Sequence, residues 1–158
     1  MPEPTGDFWT WALRAYARPG VAEACIDLQD RHGQNVPYLL WAAWTACEGR
    51  PLAPATLAAA ADLATRWEAA AVAPLRTVRR ELKPSMPGVS DEARETLRGE
   101  VKALELKAER ILMTGLEALA PPSTGAGLPL NPALAVAVSA WANKASSQAL
   151  DRLAQTLC

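Results

Sequence analysis

Histidine and cysteine are both scarce in this chain of 158 residues. His32 is the single histidine, and the three cysteines (Cys25, Cys47 and Cys158) lie far apart without a CxxC motif. A zinc site needs four nitrogen or sulfur ligands, or three and a water, so we expect no metal and no cofactor. Widely spaced cysteines usually serve as small apolar core residues in a reducing compartment. We expect this of Cys25 and Cys47, and Cys158 is one further thiol at the terminus.

A strong net charge and a membrane-length apolar run are also missing. The formal net charge is −1, so no field over the whole chain attracts nucleic acid or an anionic membrane. The first residues, MPEPTGD, lack the basic and apolar regions of a signal peptide. The uncharged stretch 118–143 is interrupted by prolines and glycines, whereas a membrane helix needs about 20 continuous apolar residues. We therefore expect a cytoplasmic protein with no membrane span and no nucleic-acid partner.

Catalytic signatures are absent as well. The sequence contains no GxSxG, P-loop or GxGxxG motif, and His32 lies beside a helix-stop glycine, as a cap or surface residue would. Glu23, Asp27 and Asp30 share one helical face and are candidates for a divalent cation, but no second acidic cluster faces them. A solvated face that pairs with Arg14 or Arg18 is the favoured interpretation. Enzymatic activity stays open and is disfavoured.

What the chain does contain is alanine and leucine, with few β-branched residues. Alanine and leucine favour helices, and strands prefer valine, isoleucine and threonine. The stretch from Asn35 to Gly49, NVPYLLWAAWTACEG, has no charged side chain between Val36 and Cys47 and is apolar all round. Such a helix lies in the middle of a bundle. We predict a single all-α domain of six or seven helices around a central helix at about residues 35–48.

Composition divides residues 1–158 into three parts. Seven of the nine aromatic residues fall between Phe8 and Trp44, which predicts an aromatic-rich helical core. Charged side chains are concentrated in the middle third, which predicts a charged helical arm. The parts are a core at 1–72, the arm at 73–120, and a loop with a returning C-terminal helix at 121–158.

Prolines set two further helix boundaries. Pro74 predicts a kink or break between a helix that ends near Val72 and a shorter one that begins near Leu75. Pro132 predicts the first turn of a last helix that runs to about Thr156.

The longest helix, predicted at residues 91–119, carries a narrow apolar seam. Its members alternate at spacings of four and three, as in a coiled coil. They are Leu97, Val101, Leu104, Ala108 and Ile111. A homodimer through this helix is therefore one possible assembly.

Six aromatic residues at helical spacing form one candidate site: Trp9, Trp11, Tyr16, Tyr38, Trp41 and Trp44. A packed tryptophan core with hydrogen-bonded indole N–H groups is the favoured interpretation. The other is a pocket for a flat or isoprenoid-like ligand. Its polar groups are then Arg18, Gln29 and Asp30, which we also expect to form a buried hydrogen-bonded group near Tyr16.

A second candidate site is a basic stripe at i, i+3, i+4 and i+7, formed by Arg76, Arg79, Arg80 and Lys83. Such a stripe suits an acidic partner, an anionic lipid or a nucleic acid. No aromatic side chain is interleaved with it. Solvation, or pairing with acids of the next helix, is therefore favoured.

The N-terminal third resembles a family of short, all-helical proteobacterial proteins described only as a domain of unknown function. The resemblance rests on the patterns YxRPGV from Tyr16 and ACxxLQDxxGxxVxxLLxxAW from Ala24, followed by Gly49 and Arg50. It implies a bacterial cytoplasmic protein and brings no activity, cofactor or catalytic residue.

The leading hypothesis is a non-enzymatic interaction or regulatory protein that binds another macromolecule, most simply a protein, through exposed helical surface. The alternative is a binder of a small or lipid-like molecule, or an enzyme, that uses a tryptophan-lined pocket between the N-terminal helices. Trp11, Tyr16, Trp41 and Trp44 then contact the ligand.

Overall fold

Helices are the only regular secondary structure in the part of the chain that the computed structural model describes, residues 7–141 and 147–157. These residues form seven helices, which confirms the all-α class and the expected number. They are α1 (Phe8–Tyr16), α2 (Val21–His32), α3 (Val36–Cys47), α4 (54–81), α5 (Asp91–Leu119), α6 (Leu130–Ser139) and α7 (Ser147–Leu157). None of the helices in the described residues is long and apolar enough to cross a membrane.

The apolar helix α3 is central, as its sequence predicts. It contacts α1, α2, α4, α5 and α6, and every residue from Tyr38 to Ala46 is buried. The Asn35 side chain caps its N-terminus by accepting a hydrogen bond from the backbone N–H of Tyr38 at 2.9 Å. The hydroxyl of Tyr38 donates to the Ala137 carbonyl of α6 at 2.8 Å. The polar groups inside this apolar segment thus join neighbouring helices.

The cysteines of the core region differ in their surroundings. Cys25 is buried as expected, and burial raises the pKa of its thiol to about 12. Cys47 is exposed at the end of α3, so its expected place in the core is wrong. Cys158 lies outside the described residues.

Of the kink or break predicted at Pro74, the break is wrong, because α4 is continuous. It comprises the α-helical stretch Pro54–Trp67, the π-helical stretch Glu68–Val72 and the α-helical stretch Ala73–Glu81. Proline lacks an N–H, and its ring collides with the carbonyl four residues earlier in an α-helix. Here the N–H of Ala73 donates to the Glu68 carbonyl, five residues back, so the change in hydrogen-bond register immediately precedes the proline.

Helix α5 contacts α1, α3 and all three stretches of α4. Its C-terminal half contributes to the main core, and its N-terminal half packs on the last stretch of α4. Only two of the five residues of the predicted apolar seam are buried. Val101 and Ala108 are buried, whereas Leu97, Leu104 and Ile111 are each about half exposed.

The predicted long last helix is also wrong, since α6 ends at Ser139. The indole N–H of Trp141 donates to the Gly33 carbonyl at 3.0 Å, and its ring stacks on Tyr38 with centroids 5.3 Å apart. These contacts hold the end of α6 at the turn between α2 and α3. Ala145, expected within the same helix, lies outside the described residues.

The loop between α5 and α6 is bonded to the C-terminal end of α3. The backbone N–H of Thr124 donates to the Gly49 carbonyl, and that of Leu128 donates to the Ala46 carbonyl, each at 2.8 Å. The Arg50 guanidinium donates to the Pro121 carbonyl at 2.9 Å. The chain segment after α5 is thereby attached to the central helix.

Candidate functional site

Of the six aromatic residues of the first candidate site, the three on α3 belong to the interior. Trp41 is fully buried, and Trp44 stacks on Phe8 with centroids 5.2 Å apart. The guanidinium of Arg50 lies 4.9 Å from the Trp44 ring centroid, and Trp11 is half-buried against the same core. The indole N–H groups of Trp41 and Trp44 make no hydrogen bond to the described part of the chain. The packed core is therefore right for the aromatic residues of α3, although the hydrogen bonds expected of the Trp41 and Trp44 indoles are not formed.

The expected buried group of Arg18, Gln29 and Asp30 is not formed. Arg18 is exposed in the turn after α1, and its guanidinium donates to the Leu157 carbonyl at the C-terminus of α7. A cation is favourable at that end of a helix. Gln29 and Asp30 are joined by an exposed hydrogen bond of 3.4 Å. Arg18 thus contacts α7, whereas Gln29 and Asp30 contact each other.

The acidic face of α2 is used for local pairing. Asp27 lies 3.2 Å from Arg31 and 3.9 Å from His32, and Asp30 lies 3.9 Å from Arg80. The pairing expected with the arginines of α1 is thus replaced by other partners. Among the described residues, no group of three histidine, cysteine or acidic side chains is placed to hold a metal ion.

The basic stripe on α4 does not form one exposed surface. The guanidinium groups of Arg76 and Arg79 are turned toward α5, where they meet acidic side chains. Arg80 and Lys83 remain exposed. Pairing with acids of the next helix thus accounts for half of the stripe.

These two arginines belong to an ion-pair network between α4 and α5, which consists of Glu68, Arg76, Arg79, Glu105 and Glu109. Arg76 lies 2.9 Å from Glu68, 3.2 Å from Glu105 and 3.6 Å from Glu109. Arg79 lies 2.5 Å from Glu105. Glu105 is therefore held by two guanidinium groups.

The network extends to the central helix through the π-helical stretch. Glu68 begins this stretch and also accepts a hydrogen bond of 3.2 Å from the side-chain amide of Asn35, the N-cap of α3. One carboxylate thus contacts both Arg76 and the start of α3. π-Helical insertions re-aim side chains and are frequent at functional sites.

The two carboxylates of α5 in the network have opposite pKa shifts. Burial alone would raise the pKa of Glu105, but hydrogen bonds from Arg79 and Arg76 outweigh it and lower the pKa. Burial raises the pKa of Glu109 above its ordinary value, with Arg76 opposing the shift and Glu105 adding to it. Glu105 is therefore stabilised as a carboxylate, and Glu109 is not.

An open groove, which we call the α1–α5 groove, lies beside this network between α1, α2, α3 and α5. Its volume is about 230 Å³. The side chains of Leu13, Ile26 and Leu106 around it are 54%, 52% and 56% exposed. The full lining consists of Trp9, Ala12, Leu13, Tyr16, Ile26, Gln29, Val36, Pro37, Leu40, Leu106, Glu109 and Met113.

Glu109 and Gln29 connect the groove to its polar surroundings. Glu109 belongs to both the groove and the ion-pair network, 3.6 Å from Arg76. Gln29 lies in the groove and also in a neighbouring polar cleft with Asp30, Arg76 and Arg80. The groove is thus apolar along most of its wall and ends at charged groups.

We expect Glu109→Gln to stabilise the protein at neutral pH. The raised pKa means that the folded state binds this proton more tightly than the unfolded chain does. The stabilisation that Glu109 provides is thus present below its unfolded pKa and lost as the pH rises through the folded pKa. The variant should have a higher urea midpoint than the wild type at pH 7 and a similar one at pH 4. A lower midpoint at pH 7 would show that the pairing with Arg76 outweighs burial.

Of the residues proposed from sequence, Trp9, Tyr16 and Gln29 line the groove, and four important ones were missed. Leu13, Ile26, Leu106 and Glu109 come from three helices that are separate in sequence. A weak signal exists for Ile26, because it lies outside the buried stripe of its own helix. An apolar residue outside that stripe has no partner within the fold.

The fold and the site define a small all-helical protein with an open apolar groove beside a half-buried ion-pair network. The chain belongs to the family described as "Protein of unknown function (DUF2390)", whose model matches residues 7–116, more than half of the 158 residues. The matched segment contains every residue of the groove lining and of the network. No curated protein and no solved structure matches the chain.

Proposed function

We propose that this protein is a non-enzymatic interaction protein that binds an amphipathic helix of a partner protein in the α1–α5 groove. One observation carries the proposal, the exposure of the large apolar side chains Leu13, Tyr16, Ile26 and Leu106 around a single groove. Single exposed apolar residues are ordinary, whereas a group of them around a concavity is typical of an interaction site. Helical walls of this kind accept the apolar stripe of another helix.

Charge on the α5 side of the groove supports a partner helix with acidic flanks. Lys107 and Arg110 are exposed there, next to the shared groove residues Trp9 and Leu106. The Arg110 guanidinium lies 4.8 Å from the centroid of the Trp9 ring, so the cation is held at the groove edge. Acidic side chains beside the apolar stripe of the bound helix would meet these cations and set its direction.

Binding of a small or lipid-like molecule in a tryptophan-lined pocket has less support. Trp41 and Trp44, which were to line that pocket, fill the interior instead. The α1–α5 groove is surrounded by exposed apolar side chains, as suits an amphipathic helix. We place this activity in the bacterial cytoplasm, in a protein that acts as one domain, following the sequence resemblance.

Site-specific photo-crosslinking in cells tests this proposal. A photoreactive phenylalanine derivative replaces Leu106, which lines the groove, or Val78, which is similarly exposed on α4 outside it. We expect a protein adduct from position 106 that is absent from position 78. Mass spectrometry should place the adduct on an amphipathic helical segment, and a synthetic peptide of this segment should change the fluorescence of Trp9.

The variant Ile26→Gln gives the quantitative arm of this experiment. It removes one apolar groove contact from an exposed position, so we expect the fold to persist and the peptide to bind roughly tenfold or more weakly. Equal adducts from positions 106 and 78, or an adduct with a lipid or small molecule at position 106, would refute helix binding. Unchanged peptide affinity in the variant would also refute it.

A further inference from the structure

Leu97, Leu104 and Ile111 form a second apolar surface on α5, which we call the outer stripe. They recur at intervals of seven residues and are 48%, 52% and 49% exposed. Residues seven apart lie on one face of a helix. The residues between them, Val101 and Ala108, are buried against the rest of the molecule, so the outer stripe is what the fold leaves uncovered.

The outer stripe faces away from the α1–α5 groove and meets it only at one edge, where Lys107 and Ile111 share a cleft with the groove residues Trp9 and Leu106. Leu106 of the groove follows Leu104 by two positions, which is about 200° around a helix. These two side chains therefore project from nearly opposite sides of α5. A partner on the outer stripe would leave the groove open.

Two opposite charges accompany the outer stripe on the same side. Glu100 follows Leu97 by three positions, and Lys107 follows Leu104 by three positions. Both side chains are exposed, and neither makes an ion pair with the described part of the chain. The two charges lie on either side of Leu104 along the helix. A surface of this kind is complementary to itself when it is turned by 180°.

We infer that the outer stripe binds a second copy of this chain, with the two α5 helices antiparallel about a two-fold axis at Leu104. Leu104 then meets its own counterpart, and Leu97 meets Ile111 of the second copy. Glu100 lies next to Lys107 of the second copy, and the symmetry forms this pair twice. A parallel pair would put these residues on opposite flanks of the contact from those of the second copy, so Glu100 would not lie next to Lys107. The charge pattern thus selects the antiparallel arrangement.

Sedimentation of the full chain tests the association. We expect a dimer at micromolar concentration that Leu104→Glu converts to a monomer. The matched control is Leu106→Glu, an exposed leucine of the same helix on the opposite side, which should remain a dimer. Circular dichroism verifies that both variants keep their helices. A monomeric wild-type chain at the highest soluble concentration, or a dimer that Leu104→Glu leaves intact, would overturn the inference.

Charge reversal and cysteine crosslinking test the orientation. Glu100→Lys and Lys107→Glu should each weaken the dimer about tenfold, because each reverses two pairs, and the double variant should restore it. In a Cys47→Ser, Cys158→Ser background, Leu97→Cys should form disulfides with Ile111→Cys and not with itself. Self-crosslinking of Leu97→Cys, or a double variant that is no tighter than the singles, would show that the helices are not antiparallel.

This inference does not depend on the proposed function. The dimer can form whether or not the α1–α5 groove binds a helix, and Leu104→Glu leaves the groove lining unchanged. Loss of the dimer with intact peptide binding would separate the two surfaces. The two hypotheses therefore succeed or fail on different measurements.

Discussion

Glu105→Gln should lower the free energy of unfolding by about 3 kcal/mol at pH 7, the loss typical of breaking a buried ion pair. The Glu105 carboxylate is buried and lies 3.2 Å from Arg76 and 2.5 Å from Arg79. Glutamine has similar volume but no charge, so two half-buried guanidinium groups lose their shared counterion. Urea unfolding measures the loss. The control Glu81→Gln, exposed on the neighbouring helix, should stay within about 0.5 kcal/mol of the wild type.

The effect of Glu105→Gln should also depend on pH. The pKa of Glu105 in the folded protein lies below its ordinary value of 4.5, so the folded state favours the ionised form. Its stabilisation is present above the unfolded pKa and is lost as the pH falls through the folded pKa. The stability curves of wild type and variant should therefore approach each other below pH 4.5. A difference that stays constant across this range would contradict the ion-pair explanation.

Gly49→Ala should lower the free energy of unfolding by about 4 kcal/mol, because two separate costs coincide at this residue. Its φ of +64° lies in the left-handed region that favours glycine. An added Cβ would stand 2.2 Å from the carbonyl oxygen of Ala126, a backbone atom that cannot rotate away. The loop between α5 and α6 must then move off the end of α3.

Gly88 provides the matched control for this prediction. Its φ is +81°, and an added Cβ would meet no atom within 4 Å. Gly88→Ala should therefore show the conformational cost alone, about 1 kcal/mol. Urea unfolding compares the two variants, and limited proteolysis after Pro121 reports loosening of the loop in Gly49→Ala. Equal destabilisation in both variants would show that the contact with Ala126 is unimportant.

Helix ends were predictable where a local residue sets them. Asn35 caps α3 through its own side chain, and the left-handed Gly33 and Gly49 end α2 and α3 as their positions indicate. Capping involves atoms within one turn of the chain, so sequence contains the necessary information. The break expected at Pro74 is not formed, because a π-helical stretch accommodates the proline. No local sequence motif signals such a stretch.

The candidate site was less predictable, because its parts come from distant segments. The spacing of Arg76 and Arg79 places them on one side of α4, but Glu105 and Glu109 lie on another helix. Whether a basic side chain is exposed or paired depends on which helix covers it. For the same reason the groove lining included only Trp9, Tyr16 and Gln29 of the expected residues.

Sequence alone determined the helical class and the burial of α3, because alanine and leucine content, capping residues and an all-round apolar surface are properties of the local chain. Only the tertiary structure decided which apolar and charged residues remain available for partners. On α5, Val101 and Leu104 belong to one apolar seam, yet the first is buried and the second is half exposed. The direction from which neighbouring helices pack makes that distinction, and it is not encoded in the spacing of the seam.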